Sequence, residues 1–543
     1  MLRPSLAFTS LVLAASSAPR AHVVVILADD WGFANAGYHR ADGGGDEART
    51  PHVDALAASG VRLERMYAHA FCGPSRCALL SGRLPLHVEL QNERSPTRDA
   101  SDPDKGYFGV PRNMSTLGDV ARAAGYAAHF VGKWDAGYAS PRHTPLGRGF
   151  DSSLAYFYQA NDYWTMRTYA SEASGCDAYL NASSELVVDL WEDDHPARAF
   201  NGTAHEELVF AARAVAIVDA HDGAAAPLFL YYCPHVAHDP YEAPAAYRDR
   251  FAFVTANDTS AMAAARADYD ALVAMLDEAV GNVTAALDAR GLLETTLVLL
   301  LSDNGGPIQS GQGASNYPLR GGKLDVWDGG IRVNAIAAGG AVAPAARGTV
   351  SLALWSLADV YATLCDVSGA PAALCAADAR AADAGLPPLD SRSLWPLLNG
   401  SLGAGGGPAW GAAAAAGVGH DAIGDAGSYL VTAEGLKLIV VDAADAVWTG
   451  LTYPNASTDW VAQAATVVPC ASAGLGGCLF NLSVDAEERH DLSADRPDLV
   501  ASLAARLAAL AATRIDKSHG DVDPAGCYQA IENGNFWGPW VWD

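Results

Sequence analysis

Four strand-length apolar runs, each breaking off into charged or polar residues, constrain this 543-residue chain most tightly. His22–Ala28 ends in Asp29-Asp30, and Tyr126–Val131 ends in Gly132-Lys133-Trp134-Asp135. Leu228–Cys233 runs into Pro234-His235-Val236-Ala237-His238, and Leu297–Leu301 ends in Ser302-Asp303-Asn304-Gly305-Gly306. Runs this short and unbroken read as parallel strands buried on both faces. Helical patterns lie between them, notably over Pro51–Ser59, Thr116–Ala124 and Ala261–Arg290. Strands alternating with helices predict an α/β fold, a large and mostly parallel sheet flanked by helices. Ligands of such sheets bind at the carboxyl ends of the strands, so the four polar ends can converge on one site.

The rest of the chain reads as follows. Residues 22–400 form the sheet-bearing unit, and Ser401–Asp543 is expected to be a smaller α+β domain. Ala404–Gly417 is a low-complexity Gly/Ala linker, Tyr429–Val441 reads as short strands around a Gly turn, and Leu499–Thr513 as a helix. Residues 1–18 have the order of an export signal: Arg3, the apolar stretch Leu6–Ala15, then the small residues Ser16-Ser17-Ala18. That stretch is shorter than the roughly 20 residues a bilayer span needs, and no later candidate is found, so no membrane span is expected. Eight N-x-S/T sequons, at Asn113, Asn181, Asn201, Asn257, Asn282, Asn399, Asn455 and Asn481, use half of the sixteen asparagines. Chance would place about one in ten there, so the chain reads as a glycoprotein of a eukaryotic secretory pathway, with a secreted, cell-surface or lysosome-like destination.

Nine cysteines leave one thiol over in an exported chain. Cys365 with Cys375, and Cys470 with Cys478, are close enough to bridge short loops, and none of the nine forms a C-x-x-C metal knuckle. The formal charge of −27 excludes general nucleic-acid binding, which needs clustered Lys and Arg, and argues against docking on anionic membranes.

Asp29-Asp30 and Asp303-Asn304 offer four oxygen donors with about three negative charges, which suits Ca²⁺ first and Mg²⁺ second. Each pair alone reads equally as a turn. In Phe71-Cys72-Gly73-Pro74-Ser75-Arg76 the proline suits a first helical turn, placing Cys72 at an anion-favouring helix N-terminus with Arg76 one turn on, able to reach back. A disulfide cysteine before a helix reads equally well.

Cys72-Gly73-Pro74-Ser75-Arg76 resembles the C-x-P-S-R signature of the type I sulfatases, in which the cysteine is oxidised to formylglycine. Gly125–Trp134, Thr50–Ala57, Arg148–Asp151, Leu301–Gly306 and Pro318–Lys323 are similar to further motifs of that family. Leu479–Leu482 and Glu488–Leu492 resemble its C-terminal domain, and Asn535–Trp540 resembles the ending of the arylsulfatase B branch. The resemblance implies the alkaline-phosphatase-like sulfatase fold. It further implies that Cys72, as the hydrated aldehyde, attacks the sulfur of a sulfate ester, forms a covalent sulfo-enzyme and then releases inorganic sulfate. Asp29, Asp30, Asp303 and Asn304 would hold Ca²⁺ together with the Cys72-derived oxygen. Arg76 would help hold the ionised diol, Lys133 and Lys323 would bind sulfate oxygens, and His238 would protonate the leaving oxygen. A formylglycine-generating enzyme would act during maturation. Removing Cys72 from the thiol count leaves eight cysteines, enough for four bridges, with Cys77 paired or buried rather than catalytic.

One position departs from the pattern. The family motif reads G-K-W-H, and here Asp135 stands where the histidine deprotonates the second diol hydroxyl. Asp135 can serve as that base, since reach and basicity matter more than identity. His143 is the alternative, and a weakened, glycan-binding homologue is a further reading. A phosphonate or phosphodiester hydrolase of the same superfamily is the other enzymatic reading. The net charge then argues only against a polyanion gathered by the whole surface; it favours a small ester or a chain end.

Overall fold

The computed structural model describes residues 20–40, 46–92, 96–168, 175–176, 187–200, 202, 204–309, 312–402, 418–444, 446–451, 467–472 and 474–542. The export signal, the Gly/Ala linker and the sequons at Asn181, Asn201 and Asn455 lie outside them.

Ten strands form one mixed sheet. Their order is Thr349–Ser351, Val61–Leu63, Ala335–Ala338, Thr296–Ser302, His22–Ala28, Leu228–Cys233, Ala127–Lys133, Ser152–Tyr156, Trp191–Glu192, His195–Pro196. The five strands from Thr296–Ser302 to Ser152–Tyr156 run parallel. Antiparallel pairs occur on both flanks, at Ala335–Ala338 and at Trp191–Glu192. Two expected strands are matched residue for residue, His22–Ala28 and Leu228–Cys233. The strand expected at Tyr126–Val131 runs over Ala127–Lys133, and the one expected at Leu297–Leu301 extends to Thr296–Ser302.

Alternation along the central strand divides the core. Val23, Val25 and Leu27 join one apolar cluster, and Val24, Ile26 and Ala28 join the other. Helices Cys72–Ser81, Leu117–Ala123 and Asp359–Ser368 cover the first face; Pro51–Ser59, Glu206–Ala220 and Ala261–Ala289 cover the second. Each large aliphatic side chain removed from water contributes about 1.5–3 kcal/mol. Thr116 caps Leu117–Ala123 through a reciprocal box with Asp119, which fixes where that helix starts. Among the described residues no helix is long and apolar enough to cross a membrane.

A smaller antiparallel sheet follows, Ala422–Gly424, Tyr429–Thr432, Leu436–Ile439 and Cys478–Asn481. Helix Pro497–Ala511 packs Val500, Leu503 and Leu507 against one face, on Leu430, Leu438 and Leu479. The other face meets Tyr67, Ala70 and Leu84, beside the helix that begins at Cys72. The buried Lys437 Nζ lies 2.9 Å from Asp328 and 2.7 Å from Glu488, tying the small sheet by charge to the short helix Asp328–Ile331. The chain then returns to the large unit. Cys527, in helix Pro524–Glu532, bridges Cys176, and Trp537 and Trp540 join the first apolar cluster.

Cys365–Cys375 and Cys470–Cys478 are bridged as expected. The count of four bridges is corrected to three among the described residues, because Cys77 and Cys233 remain thiols inside the core. Cys77 is buried, as anticipated.

Candidate active site

The parallel register brings the strand ends level. Ala28 lies opposite Ser302, and Gly132 opposite Cys233, so Asp29, Asp303, Lys133 and the His235–His238 turn emerge along one edge. Gly132 permits this approach: its φ is 107°, and a Cβ there would lie 1.9 Å from the Cys233 carbonyl oxygen. Gly305 is equally confined, 1.7 Å from the Gly329 carbonyl oxygen by the same measure.

Cys72 is the first residue of helix Cys72–Ser81 and is wholly buried. Its Sγ lies 3.5 Å from Asp29 Oδ1. Ligating atoms of Asp29, Asp30, Cys72 and His238 all fall within 4.8 Å of one another. Asp303 Oδ1 accepts from the Asp30 backbone N–H at 3.2 Å, and Asn304 Nδ2 donates to Asp30 Oδ1 at 2.7 Å. Asn304 Oδ1 is buried and has no partner among the described residues.

Cations answer these carboxylates. Lys133 Nζ donates to Asp29 Oδ2 at 2.7 Å, and Lys323 Nζ donates to Asp30 Oδ2 at 2.8 Å. Lys323 Nζ also lies 2.8 Å from His238 Nε2, and His238 Nδ1 lies 2.6 Å from the Asp239 carbonyl oxygen. A lysine donates only, so His238 accepts at Nε2 and carries its proton on Nδ1. Burial opposes the charge on Lys133, yet the Asp29 carboxylate overrides it and raises its pKa. Burial pushes the Cys72 thiol well up, against the pull of Lys133 and Lys323.

Arg76 is held by oxygens of two strand ends. Its Nε and Nη2 donate to Asp303 Oδ2 at 2.9 and 2.7 Å, and its Nη1 donates to the Lys133 carbonyl oxygen at 3.0 Å. Arg76 Nη2 and Cys72 Sγ share a neighbour, Asp29 Oδ1, 3.5 Å from each. The fork geometry of a guanidinium favours a carboxylate over a thiol, so Arg76 ties the helix to the strand ends.

Asp135 is wholly buried with φ 42°, and neither carboxylate oxygen has a hydrogen-bond partner among the described residues. Burial raises its carboxyl to about 6, against Lys133 and Arg76. His143 is elsewhere: its Nδ1 is 2.9 Å from Ser140 Oγ and its ring lies against Tyr107. Burial, with Arg148 and Arg112 nearby, holds its pKa well down. His143 therefore does not supply the missing imidazole at this site.

The sequence reading missed a buried acidic pair. Glu206 and Glu207, at the start of their helix, hold the turn that bears His238. Glu207 Oε2 accepts from the His235 backbone N–H at 2.9 Å, and Glu206 Oε2 lies 3.0 Å from His235 Nδ1. The Tyr163 hydroxyl lies 2.9 and 3.0 Å from the carbonyl oxygens of His235 and His238. Glutamates opening a helix are ordinary dipole partners, so only their fold position reveals them.

A buried cysteine, two lysines and clustered carboxylates thus meet at the carboxyl ends of the parallel strands. The sulfatase family model matches residues 21–370. Over 540 residues the chain is 30% identical to mouse (Mus musculus) arylsulfatase J, covering 96% of this chain and 80% of that one. It is 29% identical to mouse N-acetylgalactosamine-6-sulfatase over 67% of this chain and 66% of that protein. The fold is shared with the crystal structure of Ps i-CgsB in complex with k-i-k-neocarrahexaose. That match has TM-score 0.66 and 21% identity, over 95% of this chain and 98% of that one. The chain belongs to the sulfatase family, enzymes that hydrolyse sulfate esters.

Proposed function

We propose that this chain hydrolyses aryl or sugar sulfates with formylglycine, formed from Cys72, as its nucleophile. The carrying observation is Cys72 packed with Asp29, Asp30 and His238 within 4.8 Å, at a helix N-terminus that two lysines flank. Burial keeps the thiol protonated, and a protonated thiol is a poor nucleophile; a hydrated aldehyde presents hydroxyl oxygens instead.

Asp29, Asp30, Asp303 and Asn304 would hold a divalent cation, with the oxygen at residue 72. Carboxylate and amide oxygens suit Ca²⁺ before Mg²⁺, and the unpartnered Asn304 Oδ1 is a donor in waiting. When bound, such a cation lowers the pKa of a hydroxyl and offsets charge on the sulfuryl oxygens. The remaining work falls to side chains. Lys133 and Lys323 take sulfate oxygens, and Arg76 locks the nucleophile helix to Asp303. His238, whose Nε2 accepts from Lys323, passes on the proton it takes from that ammonium to the ester oxygen as the alcohol departs. Asp135 accepts the proton whose loss releases sulfate.

Residues 22–400 act as the catalytic unit and 401–543 as the smaller domain. Export through the signal at 1–18 brings the chain to a formylglycine-generating enzyme, and the exposed Asn257, Asn282 and Asn399 suit glycosylation. The acidic surface favours a small ester or a chain end. Turnover of an aryl sulfate and an aryl phosphodiester should be compared in the wild type and Cys72→Ala. Sulfate turnover that is lost in the variant supports the reading. Faster phosphodiester turnover, or activity that survives without Cys72, sinks it.

A further inference from the structure

Two hydrogen-bonding groups beside Lys133 have no role so far. Tyr156 ends the strand next to Ala127–Lys133 and is the register partner of Lys133. Register partners lie roughly 4.8 Å apart with side chains on the same face; Val131 and Leu154, two residues earlier, share an apolar cluster there. The Tyr156 ring is 4.9 Å from that of His235, which stacks on Tyr163 at 4.2 Å and lies 5.7 Å from His238. His235 uses Nδ1 on Glu206, 3.0 Å away. Its Nε2 and the Tyr156 hydroxyl are buried, and neither has a partner among the described residues. Such groups are costly to leave unmade and point to a ligand.

Protonation fits two donors. Burial raises the Glu206 carboxyl well above its range, and burial with His238 and Lys133 lowers His235 well below its own. The pair is therefore neutral: the Glu206 acid hydrogen donates to Nδ1, and Nε2 carries the imidazole hydrogen. We propose that the Tyr156 hydroxyl and His235 Nε2 bind an oxygen of the sulfate group beside Lys133, a second anion-holding pair that extends the proposed sulfatase site. Glu206 is the positioning residue that fixes the imidazole.

The test uses calcium-loaded protein with inorganic sulfate as probe, followed by calorimetric binding and by competition against aryl sulfate turnover. Tyr156→Phe removes one hydroxyl and keeps the ring. His235→Asn keeps a group near Glu206 but withdraws the pocket donor, and His235→Gln returns a donor at the reach of Nε2. Loss of a hydrogen bond to an anion should weaken sulfate about tenfold in Tyr156→Phe and in His235→Asn, with recovery in His235→Gln. Unchanged sulfate affinity in a folded Tyr156→Phe protein overturns the proposal and leaves water as the occupant. Wild-type protein that binds sulfate through these groups but turns over no sulfate ester would fail the sulfatase reading alone.

Discussion

Replacing Asp135 with Asn should make the protein more stable and less active at pH 7.5. Asn is the suitable replacement because the backbone there has φ 42°, a conformation Asn tolerates. Burial lifts the carboxyl from 3.8 to about 6, with Lys133 and Arg76 opposing. At about 1.36 kcal/mol per pH unit this rise amounts to roughly 3 kcal/mol. Between these two values the folded state binds more protons than the unfolded chain, so stability falls as pH rises through the window and the loss is complete above it. Asn carries no charge and does not suffer that loss. For 543 residues, at about 2.1 cal/mol/K of unfolding entropy per residue, the gain is about 3 °C in Tm. Scanning calorimetry of both proteins in calcium-free buffer, at pH 4 and pH 7.5, reads the difference without the cation's field. The gain should appear at pH 7.5 and nearly vanish at pH 4. Turnover in calcium should fall about 10²- to 10⁴-fold, the contribution of a general base. A variant no more stable at pH 7.5, or equally stabilised at both pH values, would refute the electrostatic reasoning. Full turnover would remove Asp135 as the base.

Two further outcomes follow from other parts of the molecule. Lys437→Met leaves Asp328 and Glu488 buried without their shared cation and should cost about 3–5 kcal/mol in denaturant unfolding; a loss near zero would mean that apolar packing alone holds the small sheet in place. Chelation should abolish aryl sulfate turnover, with Ca²⁺ restoring it better than Mg²⁺ or Zn²⁺, as an all-oxygen donor set requires; turnover indifferent to chelator would exclude the cation.

The central strands were legible because full burial on both faces forces unbroken apolar runs, as in His22–Ala28 and Leu228–Cys233. The flanking strands, such as the two-residue Trp191–Glu192, are too short to carry a period. Asp29, Asp30, Asp303 and Asn304 could be grouped because parallel strands bring their carboxyl ends together. The pairing of Arg76 with Asp303 spans 227 residues of sequence, a separation no local pattern encodes. The same holds for Cys176–Cys527, 351 residues apart. His143 stayed open as an alternative because a loop histidine looks the same in sequence whether it faces a site or fills a core. Tyr156 reads as one more apolar strand residue, and only the unpartnered hydroxyl marks it out.

Mass spectrometry of the peptide containing Cys72, taken from protein made in a cell that exports it, tests the central claim most directly. The account predicts an aldehyde in place of the thiol, trapped by a hydrazide reagent, in proportion to sulfatase activity across preparations. Fully active protein whose residue 72 carries an unmodified thiol would contradict it.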